Sequence, residues 1–175
     1  MVALRGGVTR APVLTPTAAA TVADASVHVV ATATGGKVAS LQALEPGGGT
    51  GSVRIGSGGV KMVDFFATWC HACKVDLGAM KAYAARAQRL GLPPLVAVDL
   101  RIAEPSTAYV RHFVAAMGVD FPVGLDATGK VTDAYAVGTL PTVVLVGDGG
   151  RILWRHTGII GLRTLLAAAR TAGGA

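Results

Sequence analysis

The 175 residues contain only two cysteines, Cys70 and Cys73, and that scarcity limits the metal chemistry available. A closed zinc site needs four ligands. There is no second cysteine pair, and His28, His112 and His156 are scattered along the chain. Covalent haem attachment requires a histidine directly after the second cysteine, where Lys74 stands instead. Charge is also sparse: 15% of residues are charged and 51% are hydrophobic, a balance that excludes a disordered chain. Long apolar runs are missing despite a mean hydropathy of +0.53. The longest charge-free stretch, Ala134–Gly147, has 14 residues and is broken by Gly138 and Pro141, too short to cross a bilayer as a helix.

The formal charge of +6 comes from sixteen dispersed Lys and Arg. No basic cluster with interleaved aromatics is present, so no nucleic-acid partner is expected. A solvated basic surface remains, with at most a weak pull on acidic partners or anionic membranes. One phosphate-loop look-alike, Gly124-x-x-x-x-Gly129-Lys130, has Val131 where a Ser or Thr must hold magnesium, and is set aside.

What is present is concentrated in Val63–Lys74, VDFFATWCHACK. A run of strand formers ends at Trp69 and delivers the Cys70-His71-Ala72-Cys73 motif to the start of a predicted helix. Cysteines one helical turn apart can form a disulfide. The unpaired N–H groups of a helix N-terminus favour a thiolate there. A strand feeding C-x-x-C into a helix therefore reads as a thiol–disulfide exchange site, and a bridge closing so short a loop contributes little as a purely structural element. Cys70, nearer the helix end and the surface, is expected to attack. Cys73, one turn inside, is expected to resolve the mixed disulfide. His71, when protonated, can stabilise the thiolate, and Trp69 offers a contact surface for substrate. Asp64 interrupts the apolar strand, and acids are rarely buried without a partner or a role.

Residues 1–25, rich in Ala, Thr and Pro, read as a flexible leader or linker. They show no charged segment followed by an apolar one, as an intact signal peptide would. The domain is expected over 26–175. It starts with a hairpin, Ser26–Thr34 and Lys37–Leu44, around Gly35-Gly36. Glu45–Gly59 is glycine-rich and predicted to be a mobile loop with a short strand at Val53–Ile55. Strands are predicted at Val60–Ala67, Leu95–Leu100, Thr142–Val146 and Arg151–His156, the last two forming a hairpin around Asp148-Gly149-Gly150. Helices are predicted over His71–Leu90, from the N-cap Ser106 to Met117, over Val131–Tyr135 and over Leu162–Thr171. Alternating strands and helices ending in a hairpin give an α/β fold whose mixed central sheet is covered on both faces.

FATWCHAC, together with Leu95–Leu100, Phe121–Val137, Thr139–Ile152 and Gly158, resembles the thioredoxin-fold oxidoreductases of the TlpA/ResA type from about Val29 to the C-terminus. The WCHACK segment is also similar to the C-terminal domain of DsbD. The resemblance implies a thioredoxin-like fold with a redox-active Cys70–Cys73 disulfide and no other cofactor or metal. It also implies that Pro141, in Leu140-Pro141-Thr142, is a cis-proline that turns the Leu140 backbone towards an incoming peptide. Thioredoxin has an acid at the place of Asp64, which is therefore favoured as proton relay. Asp76, matching an acid common in the TlpA family, is expected to lie solvated on the helix. Ala72 departs from the proline common in that family. The implied activity is reduction of protein disulfides outside the cytoplasm, with cytochrome c maturation as one setting. Its partners would be protein or peptide thiols and disulfides and a membrane or soluble electron donor, with any membrane anchor outside this chain. Two other readings remain open: a cytosolic thioredoxin, and a chaperone binding Cu(I) through the same cysteines.

Overall fold

The computed structural model describes residues 28–31 and 37–172. The expected leader over 1–25 and the Gly35-Gly36 turn lie outside the described residues. The strands are β1 (His28–Ala31), β2 (Lys37–Leu44), β3 (Thr50–Ile55), β4 (Lys61–Phe66), β5 (Leu95–Asp99), β6 (Val123–Leu125), β7 (Thr142–Val146) and β8 (Ile152–Thr157). The helices are α1 (His71–Leu90), α2 (Thr107–Ala116), α3 (Lys130–Ala134) and α4 (Leu162–Ala172). Among the described residues these eight strands join one sheet in the order β1-β2-β6-β5-β4-β7-β8, with β3 paired to β2.

The centre of the sheet is parallel, β4 to β5 and β5 to β6, while β7 and β8 run antiparallel. Strands buried on both faces read as unbroken apolar runs. Val96–Val98 and Val143–Val146 are such runs, each residue at most 3% exposed. One face carries α1, α2 and α4 over Met62, Phe66, Leu95 and Leu145. The other packs Val131 and Tyr135, from α3 and its end, on Val63, Phe65, Val98 and Val144. The alternation along β4 sends Met62, Asp64 and Phe66 to the α1 face and Val63 and Phe65 to the other. Side chains as large as Phe65, Met80 and Leu145 each contribute roughly 1.5–3 kcal/mol when fully buried.

The predicted bounds of α1 match the structure. Gly91 ends it at φ 63°, donating its N–H to the Ala87 carbonyl, in a conformation that glycine adopts without steric cost. Ser106 caps α2 by accepting from the Tyr109 N–H at 3.0 Å.

The glycine-rich segment differs from expectation. Where a mobile loop with a strand at Val53–Ile55 is predicted, β3 spans Thr50–Ile55 and pairs with β2 from Ala39 to Leu44. The glycine and serine of TGSVRI lower local strand propensity, but the free edge of β2 supplies a ladder. Val53 and Ile55 point into the core while Ser52 and Arg54 stay exposed. Glu45–Gly49 is then the turn of a hairpin, closed by Glu45 N–H to Gly49 carbonyl at 3.0 Å.

Candidate active site

β4 ends at Phe66, and Ala67–Trp69 carry the chain to the head of α1. The Cys70 N–H closes this turn on the Ala67 carbonyl at 3.1 Å. Cys70 is the N-cap of α1, and its Sγ accepts from the Cys73 N–H at 3.1 Å. No acid occupies the first turn of α1, so the positive end of the helix dipole faces the Cys70 sulfur without a competing carboxylate. Cys70 and Cys73 form a disulfide with a Cα–Cα separation of 5.3 Å.

The two sulfurs are not distinguished by exposure. Cys70 is 6% and Cys73 8% exposed, whereas the sequence suggests a more superficial Cys70. Position distinguishes them. Cys70 takes the helix cap, while Cys73 lines a cavity of about 20 Å³ shared with Asp64, Phe66, Leu77, Ala97 and Phe113. That volume, measured for the centre of a water molecule, holds about one water.

Asp64 projects into this cavity from the middle of β4. It is 7% exposed, and its Oδ1 has no hydrogen-bond partner. Burial, with a smaller contribution from the charge of Asp76, pushes its pKa up to about 7. A carboxyl group raised towards neutrality that shares a cavity with Cys73 is suited to exchange a proton with that sulfur once the disulfide is reduced.

Asp76 is not solvated, contrary to the expectation from its place on the helix. It is 2% exposed, and its Oδ1 accepts the Ile160 N–H at 3.0 Å. The segment before α4 folds over this part of α1, a contact 84 residues away in sequence. Burial raises the Asp76 pKa, opposed by the Ile160 hydrogen bond and by His156.

The remaining expected site residues fall around the same helix end. Trp69 is 58% exposed despite its size, and His71 is exposed in the first turn. The Leu140–Pro141 bond is cis. Pro141 lies one residue beyond the Phe65–Thr142 pair of the β4–β7 ladder, at the sheet end where β4 delivers the cysteines. The Gly158 N–H donates to the Pro141 carbonyl at 2.9 Å, and Leu140 packs against the core.

Sequence reasoning misses a second acidic group beside the site. Glu104, 7% exposed, accepts from both the Thr68 N–H and the Thr68 hydroxyl, each at 2.6 Å. Asp99 and Asp126, both fully buried, lie nearby at the ends of β5 and β6. Among the described residues, no group of three or more His, Cys, Asp or Glu is placed to hold a metal ion.

A C-x-x-C disulfide capping a helix at the end of a mixed sheet covered on both faces defines the class of thioredoxin-fold redox proteins. This chain belongs to the AhpC/TSA family, whose profile matches residues 35–155. It is similar to the thiol–disulfide oxidoreductase ResA of Bacillus subtilis, 35% identical over 96 residues that cover 55% of this chain and 51% of ResA. ResA of Oceanobacillus iheyensis is 33% identical over 91 residues, covering 52% and 45%. The chain thus spans about half the length of the curated relatives it matches. Among solved structures, StoA of Bacillus subtilis superposes with a TM-score of 0.63 at 23% identity, covering 83% of this chain and 98% of StoA. The exposed lipoprotein thioredoxin Etrx1 of Streptococcus pneumoniae gives 0.62 at 22% identity, covering 75% and 98%. At those identities the two structures speak for the fold.

Proposed function

We propose that this chain is a ResA-like thiol–disulfide oxidoreductase that reduces protein disulfides outside the cytoplasm. The observation that carries this reading is the Cys70–Cys73 disulfide at the N-cap of α1, with Asp64 and Cys73 sharing one small cavity. In the reduced protein the Cys70 thiolate, favoured by the helix end, attacks one sulfur of a substrate disulfide. An S–S bond forms between Cys70 and substrate, and the second substrate sulfur leaves as a thiolate. Cys73 then loses its proton to Asp64, directly or through one water, and attacks the Cys70 sulfur. The mixed disulfide breaks, the Cys70–Cys73 bond forms, and the substrate departs as two thiols, having gained the two electrons the protein lost. Trp69, His71 and the Leu140 backbone before Pro141 flank the incoming chain. An electron donor of the same envelope compartment restores the dithiol. Similarity to ResA supports the location and the class of substrate.

Trapping with single-cysteine variants tests this reading. Cys73→Ser should accumulate a mixed disulfide through Cys70 on a substrate peptide, visible by mass spectrometry, while Cys70→Ser should trap none. Equal trapping by both variants would defeat the assignment. The reduction potential should lie nearer thioredoxin's roughly −270 mV than DsbA's roughly −120 mV. A value above about −170 mV would turn the reading towards an oxidase or isomerase.

A further inference from the structure

Thr68 is the last buried residue before the redox motif, 3% exposed between the buried Ala67 and the exposed Trp69. Its N–H and hydroxyl both end on Glu104, one on each carboxylate oxygen, at 2.6 Å. Bonds this short to an ionised acceptor are the strong kind, worth roughly twice a neutral pair. They join segments 36 residues apart, so the clamp is built by the fold rather than by local turn chemistry.

Glu104 is itself held rigidly. Its N–H donates to the Arg101 carbonyl at 3.2 Å. Its carbonyl accepts from Arg101 Nη1 at 3.0 Å, and Arg101 Nε donates to the Thr107 hydroxyl at 2.9 Å. Asp99 is fully buried nearby, and neither of its carboxylate oxygens receives a hydrogen bond from a donor. Burial, followed by the Glu104 charge, pushes its pKa up to about 8, with Arg101 opposing and a side-chain hydrogen bond with Glu104 and the Asp126 charge adding to the rise. Burial favours the protonated form of Asp99, whose carboxyl then meets the Glu104 side chain as a hydrogen-bond donor and adds a further contact that holds it in place. Asp126 is occupied elsewhere, its Oδ2 accepting the Thr132 N–H and hydroxyl at 2.8 Å each.

Thr68 is pinned inward, and the residue that follows it, Trp69, is 58% exposed. An indole held in water keeps its apolar area unburied, so a protein that docks on it gains that area. We propose that Glu104 is a positioning residue: its carboxylate anchors Thr68 and so presents Trp69 as a fixed contact surface for a protein carrying the substrate disulfide. This rests on the oxidoreductase reading and adds how a protein substrate is told from a small one. Anchoring lowers the entropy lost when the partner docks, so its effect falls on protein disulfides and not on the chemistry at sulfur.

The test compares reduction of insulin with reduction of a small aromatic disulfide by the reduced protein. Glu104→Ala should lower kcat/KM for insulin by roughly tenfold, mainly through KM, within the range that small misplacements cause. The rate with the small disulfide should stay within about twofold of wild type. Glu104→Gln keeps an acceptor for the Thr68 N–H and a donor for its hydroxyl, and should restore the insulin rate. Trp69→Ala should lose as much as Glu104→Ala, and the double variant should be no worse than either, because the two act as one unit. Additive losses, an equal loss on both substrates, or a Glu104→Gln variant as impaired as Glu104→Ala would each overturn the proposal. Should Glu104→Ala fail to fold, Thr68→Val, which removes only the hydroxyl bond, decides the matter: an insulin rate equal to wild type then overturns it. A wild-type protein that reduced neither disulfide would instead defeat the oxidoreductase reading.

Discussion

Asp64 and Glu104 are equally buried, each 7% exposed, and each stands behind one end of the segment that carries the cysteines. Their surroundings differ in one respect. Glu104 has a short hydrogen bond on each carboxylate oxygen. Asp64 has an unpaired Oδ1 and an apolar cavity in front of it. A carboxylate with its lone pairs satisfied is a fixed acceptor. One that has lost water and gained no donor is driven towards its neutral form, which leaves it ready to exchange a proton. Hydrogen bonding, more than burial, separates these two acids.

The sharpest way to break this comparison is to remove both carboxylates and read the sign of the change. The Asp64 pKa is raised from 3.8 to about 7. Between those values the folded chain binds a proton that the unfolded chain does not, so stability falls as pH rises through that window and is level above it. At about 1.4 kcal/mol per unit, the charged form is penalised by roughly 4 kcal/mol. Asp64→Asn should therefore raise stability by up to about 4 kcal/mol at pH 8.5, since the amide is still a buried polar group, and the gain should shrink towards zero near pH 4. Chemical denaturation at the two pH values measures this. Glu104→Leu should change stability in the opposite direction, losing about 1–3 kcal/mol because the Thr68 N–H and hydroxyl are left buried and unpaired. Two losses, or two gains, would mean that burial alone sets the behaviour of these acids.

A smaller effect sharpens the same contrast. The charge of Asp76 is the secondary cause of the raised Asp64 pKa. Asp76→Asn keeps an oxygen for the Ile160 N–H, so the fold should hold while the Asp64 titration moves down by less than about one unit. Carbon-13 NMR of the Asp64 carboxyl would read this, and an upward shift would contradict the electrostatic assignment.

The parts of the site legible in the sequence are those written in contiguous residues. Asp64 stands out because an acid interrupts a strand of apolar neighbours. The cysteine pair and the span of α1 follow from spacing and from Gly91. Asp76 departs from expectation because a polar residue on an amphipathic helix normally faces water, and its cover, Ile160, arrives from 84 residues away. Glu104 lies outside any strand or helix, so no periodicity marks it, and its partner Thr68 is 36 residues distant. β3 extends beyond its expected span for the same reason, since its ladder depends on the edge of β2 and not on its own composition.

The central claim is that Asp64 accepts the proton of Cys73 during resolution of the mixed disulfide. The most direct measurement is the single-turnover rate of that step from pH 6 to 9, in wild type and in Asp64→Asn. Wild type should show an inflection near pH 7, the value to which burial raises Asp64. The variant should lose that inflection and run slower by roughly tenfold or more, the size of effect a general base supplies. Equal rates with the same pH profile would contradict the account and leave Asp64 as a buried acid with no part in the chemistry.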